Sequence, residues 1–153
     1  MTHDRRRLTS RGGGKPWAAV WGGIVFVLWA STCAAREVDI RRLAATLPAW
    51  EVQCLLDVAD EYSLYGAERK LLLAIRKHEN GAVGLELGVG AHNPDHPARR
   101  FSDAFGSLQC QGRWAAGTIR KRYRRGDLPG FAQVYCWEDW QAWLRSVSQL
   151  INM

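Results

Sequence analysis

One carboxylate in this chain stands where an acid catalyst would. Glu79 closes the run LLLAIRKHE, residues 71–79. Leu72, Ile75 and Glu79 fall at i, i+3 and i+7, so on a helix they share one face. That face is apolar until its last turn, where it offers the carboxylate. Asn80 and Gly81 follow, and both tolerate the left-handed conformation of a C-cap, so the spacing predicts a helix from about 67 to 79. Glu79 is then expected at the end of a core helix, beside apolar side chains and facing whatever follows the turn. Such surroundings disfavour the charged form of a carboxyl, and a carboxyl that keeps its proton near neutral pH is what general acid catalysis requires. The alternative is a solvated glutamate at a helix end.

Other groups of chemical interest lie just beyond it. Val83, Leu85, Leu87 and Val89 alternate with Gly84, Gly88 and Gly90 between them, which predicts a short strand or hairpin with tight turns. Glu86 has the opposite parity to Leu85 and Leu87 and is expected to face away from them, toward a cleft. His92 and His96 bracket HNPDH, and His78 adjoins Glu79. Two histidines four apart can share a metal on a helix, but Pro94 and Pro97 argue against a helix here. No CxxC pair is present, so neither a structural zinc site nor a thioredoxin-type redox site is indicated.

The elements that must position these groups are mostly helical. Pro48 suits the first turn of a helix in which Trp50, Cys54, Leu55 and Val58 recur at helical spacing to about Tyr62. Tyr65-Gly66 marks a turn before the central helix. Ala91 to Pro97 is a polar loop with two prolines. From Arg100 onward Leu108, Trp114, Ala115, Thr118, Ile119 and Tyr123 form an apolar stripe that ends at Arg125-Gly126. Asp127 can cap a helix with Leu128-Pro129 in its first turn and Phe131, Val134 and Tyr135 on its core face. Trp137, Trp140, Trp143, Leu144, Val147 and Leu150 mark a last helix. About five helices with one small hairpin is a mainly α domain with a minor β element.

The segments AIRKHENG, GLELGVG, QGRWAAGTIRKRY and DLPGFAQVYC, followed by the tryptophan-rich helix, resemble the lysozyme-like superfamily over about residues 50 to 150. The likeness is to small phage and bacterial members related to soluble lytic transglycosylases and goose-type lysozyme. It implies an α+β lysozyme-like fold and cleavage of the N-acetylmuramic acid–N-acetylglucosamine bond of peptidoglycan, without a cofactor. It also implies that Glu79 is the catalytic acid and that Glu86 belongs to the site. Hydrolysis of a glycoside wants a second carboxylate. Glu86, Asp95 and Asp103 are the candidates, Glu86 first because the hairpin would fold back beside the helix end. Its alternative role is structural, bonding backbone amides of the glycine segment. A lytic transglycosylase manages with one glutamate, because the sugar's own 6-hydroxyl attacks, and Glu79 fits that scheme slightly better. Gln109, Gln111, Tyr123 and Tyr135 are candidate substrate-binding residues, since amides and phenols bond sugar hydroxyls. Of Trp114, Tyr135, Trp137 and Trp140, one is expected to touch glycan. Two competing functions remain: a non-catalytic lysozyme-like domain that binds glycan or an envelope partner, and a metal-dependent cell-wall amidase using His92 and His96.

Residues 1–35 read as a separate unit, 36–49 as a linker or short helix, and 50–153 as the domain. Arg5, Arg6, Arg7, Arg11 and Lys15 precede an apolar run from Trp17 to Ser31, and Cys33, Ala34 and Ala35 are small. That order describes a secretory signal peptide, or an uncleaved anchor if residues 17–35 cross the membrane. Lipid attachment at Cys33 fits poorly after Ala30-Ser31-Thr32. The expectation is a domain outside the cytoplasm, periplasmic or anchored in the inner membrane. The whole chain has 21 Lys and Arg against 15 Asp and Glu, a net +6. Five of those bases and one of those acids precede residue 36, and the remaining 16 and 14 leave +2. The basic character is therefore largely a targeting signal and does not indicate nucleic acid as a partner. Arg113, Arg120, Lys121, Arg122, Arg124 and Arg125 cluster at a helix end, where cations oppose the macrodipole; they could also attract an anionic wall polymer. Cleavage would leave Cys54, Cys110 and Cys136, an odd number for an exported domain. One disulfide and one buried thiol is the economical arrangement, with Cys110 and Cys136 as the guess, although sequence does not fix connectivity.

Overall fold

The computed structural model describes residues 40–153. The expected signal or anchor segment therefore lies outside the described residues. No helix among the described residues is long and apolar enough to cross a membrane.

After a helical turn at residues 40–44, five α-helices follow: α1 (Ala49–Glu61), α2 (Ala67–Glu79), α3 (Ala104–Arg122), α4 (Leu128–Tyr135) and α5 (Trp140–Ile151). The domain is mainly helical, as expected. Pro48 sits at the N-cap of α1, Asp103 caps α3 by accepting from the Gly106 amide at 2.6 Å, and Asp127 caps α4 by accepting from Gly130 at 2.9 Å. The last helix starts at Trp140, three residues after the first tryptophan of its stripe.

The second helix, α2, is the centre. It packs against α1, α3 and α5, and Leu71 through Arg76 are all buried. Each such leucine or isoleucine taken out of water stabilises the fold by about 1.5–3 kcal/mol. A buried ion pair ties α2 to α1: Arg76 Nε and Nη2 donate to Glu51 Oε2 and Oε1 at 2.8 and 2.9 Å. Glu51 lies in the first turn of α1 and Arg76 in the last turn of α2, so each charge also suits its helix dipole. Asn80 adopts the left-handed conformation (φ 43°) and its amide donates to Arg76 O, ending α2 at Glu79 as its sequence requires.

The expected hairpin does not form. Among the described residues there is no strand. Residues 82–99 make a succession of tight turns, with Leu85, Gly88, Ala91, Asn93, His96 and Arg99 amides each donating to the carbonyl three residues back. Gly84, Gly88 and Gly90 all have positive φ, which turns the chain where a strand would extend it. One side chain supplies the bonds a partner strand would have made. Gln111, fully buried on α3, accepts from the amides of Leu87 (3.3 Å) and Val89 (3.0 Å) and donates to the carbonyls of Gly84 and Val89 (both 2.9 Å).

Candidate active site

Glu79 is half-buried at the C-terminus of α2, where Trp143 from α5 meets it. The indole Nε1–H donates to Glu79 Oε1 at 2.9 Å. Trp143 itself is held among Phe131, Tyr135 and the edge of His78, whose Nδ1 lies 2.8 Å from Ser146 Oγ. The other carboxylate oxygen lies against Gly88. The backbone there has φ +71°, which favours glycine, and a Cβ would stand 2.8 Å from Oε2 and push the carboxylate aside. Tyr135 donates its hydroxyl to Leu87 O at 2.7 Å, tying the glycine loop to α4. Burial pushes the Tyr135 phenol well above its ordinary range, and the charge of Glu79 nearby pushes the same way, so the hydroxyl remains a donor.

Three recesses join along this surface. One of about 210 Å³ runs between His78, Glu79, Asp139 and Trp143. A second of about 170 Å³ is walled by Glu79, Gly88, His92, Tyr135 and Asp139. The third, about 330 Å³, continues past Gly88, Tyr135 and Trp137 to Thr118. Shared walls make them one open trough, with Glu79 where the first two meet. Two larger hollows lie elsewhere, one beside Tyr65, Lys70 and Ile151, the other between Tyr62, Arg113 and Trp114. Neither has a carboxylate on its wall.

The remaining sequence candidates fall in several places. Glu86 is buried, and its Oε2 accepts from the Gly84 amide (3.1 Å) and the Ser107 hydroxyl (2.9 Å). It is on the wall of none of these recesses. Alternation was expected to turn it away from Leu87, but the turns bury both side chains. Gln111 has no exposed surface, so its expected contact with substrate is corrected to support of the glycine loop. Tyr123 packs edge-on to Phe131, and burial raises its phenol. Gln109 is half-buried on α3. Asp103 is engaged as a cap and Asp95 is exposed in the loop. Of the aromatics, Tyr135 and the exposed Trp137 line the trough, Trp114 lines the separate Arg113 hollow, and Trp140 packs against the core.

His92 and His96 turn to different partners. His96 Nδ1 accepts from the Ala98 amide at 3.1 Å and its ring meets Trp114, whereas His92 Nε2 lies 3.8 Å from Glu138 and its ring meets Trp137. Among the described residues no group of three or more His, Cys, Asp or Glu is placed to hold a metal, so the amidase alternative has no centre there. Cys54, Cys110 and Cys136 are free thiols, which corrects the expected Cys110–Cys136 bond. Cys110 looks into the Arg113 hollow and Cys136 into the recess at Glu79. In the basic cluster, Arg113 pairs with Glu61 at 3.0 Å and Arg120 donates to Tyr62 O at 2.6 Å.

Sequence reasoning missed Trp143 as the residue that orients Glu79, having assigned it only to a core stripe. It also missed Asp139, whose place in the trough depends on the packing of α5 against α2. Comparison with known proteins finds no matching family model, no similar curated protein and no similar solved structure.

Proposed function

We propose that the chain is a peptidoglycan-cleaving glycosidase of lysozyme-like arrangement, with Glu79 as the general acid for the bond between N-acetylmuramic acid and N-acetylglucosamine. The observation that carries this is a single carboxyl at the end of a buried helix, oriented by an indole N–H and opening onto a trough that runs past it on both sides. A trough with a reactive group partway along suits a polymer cut between its units. Oε1 accepts from Trp143, so Oε2 is the oxygen left to carry the transferable proton. Proton transfer to the glycosidic oxygen lets the C1–O bond break with its electron pair on the leaving group. Glu86 is bonded inside the scaffold, so the capture step falls to the substrate's 6-hydroxyl or to water activated by another group.

A non-catalytic glycan-binding domain is the second reading, and the openness of the trough at Glu79 favours catalysis over it. The substrate also fits the targeting reading of residues 1–35, because peptidoglycan lies outside the cytoplasm. The test is to incubate the full chain with purified peptidoglycan and analyse the products by mass spectrometry. Released muropeptides are expected from the wild type. Glu79→Gln keeps the shape but removes the proton, and should lose at least about 10²- to 10⁴-fold in rate while still folding and binding glycan. Wild-type clearing by Glu79→Gln would overturn the assignment.

A further inference from the structure

We propose that Asp139 is the second catalytic carboxylate of this trough, the base for the water that captures the sugar after Glu79 has released the leaving group. The inference rests on Glu79 being the acid.

Three helices of this domain are preceded by an aspartate. Asp103 and Asp127 cap theirs, accepting from amides three residues on at 2.6 and 2.9 Å. Asp139 holds the same position before α5 and makes no cap bond. Its backbone, at φ −128° and ψ 46°, departs from the extended geometry (−93°, 143°) in which Asp103 caps. Among the described residues its carboxylate has no hydrogen bond or ion pair. It is exposed, and it lies on the wall of both recesses that meet at Glu79.

The other acids nearby are placed differently. Glu138 lies 3.8 Å from His92 and lines only the recess on the Gly88 side, whereas Asp139 lines both, and Glu86 is buried against Gly84 and Ser107. Cys136 lines both recesses together with Glu79 and Asp139. Burial pushes its thiol up, the Asp139 amide N–H pulls it down, and the charges of Glu79, Asp139 and Glu138 push it up further. Glu79 and Asp139 therefore act electrostatically on the same sulfur.

The step balances as a hydrolysis. The proton on Glu79 passes to the glycosidic oxygen as the C1–O bond breaks and its electron pair goes to that oxygen. A water oxygen bonds C1 and gives one proton to Asp139. One water is consumed, one product ends in a hydroxyl and the other in a reducing hemiacetal. Asp139 returns its proton to solvent and Glu79 regains one.

The experiment compares wild type, Glu79→Gln, Asp139→Asn and Asp139→Ala as full chains on purified peptidoglycan, with products read by mass spectrometry and folding by thermal melting. Asp139 caps nothing and is exposed, so both Asp139 variants should melt like the wild type. Asp139→Asn should lose about 100-fold or more in rate. Sodium azide should restore turnover to Asp139→Ala, leaving a glycosyl azide among the products, because azide attacks C1 without needing a base. The wild type should leave reducing ends. Near-wild-type turnover by Asp139→Asn beside an inactive Glu79→Gln would overturn the role of Asp139 and leave that of Glu79 standing. Wild-type products ending only in anhydro-sugars would overturn the water-activating role in the same way. A wild type that releases nothing would sink both.

Discussion

Glu79 is oriented by one donor, and that donor can be removed with little change of shape. Trp143→Phe keeps an aromatic ring against Phe131 and Tyr135 but deletes the N–H that reaches Oε1. Hydrogen bonds to charged or ionisable groups contribute about 1.5–3 kcal/mol, so kcat should fall by roughly tenfold to a hundredfold. KM should change far less, because the indole touches the acid and only 3% of Trp143 is exposed. A variant whose KM rises while kcat stays constant would show that Trp143 serves binding and does not orient Glu79.

At the scale of elements, the glycine segment depends on a residue more than twenty positions away. Gln111 bonds four backbone groups of Gly84, Leu87 and Val89, and reaches Ala98 O at 3.4 Å. Gln111→Ala would leave several of these buried and unpaired, each costing about 1–3 kcal/mol. The loop carrying Gly88 against Oε2 should loosen. Amide hydrogen exchange at residues 84–90 should accelerate by at least tenfold, with activity reduced although Glu79 is untouched. Unchanged exchange in that segment would mean that the glycine turns hold themselves.

The whole domain is assembled around α2, and the ion pair between Arg76 and Glu51 is a buried charged pair joining it to α1. Removing one partner strands a buried charge, which costs about 3–5 kcal/mol, whereas replacing both with apolar residues is often neutral. Glu51→Ala should therefore lower the urea midpoint sharply, and the double variant Glu51→Leu, Arg76→Met should recover most of the loss. Equal destabilisation by single and double variants would mean that the pair contributes net stability in place.

The sequence alone determined the helices, because their signals are local. The Leu72-Ile75-Glu79 spacing, the left-handed Asn80 and the capping Asp127 act within one turn of the chain, and each stands where its neighbours required. Glu79 at the end of a core helix was legible for the same reason. The tertiary structure decided what lies across from it. Val83 to Val89 alternates like a strand, but a strand needs a partner for its amides, and here that partner is the side chain of Gln111. The same packing buries Glu86, expected to face the cleft from its parity in the alternating run, and Gln111, expected there from its amide chemistry. Trp143 and Asp139 reach the trough only because α5 lies along α2, a contact between positions about sixty apart that no local periodicity encodes.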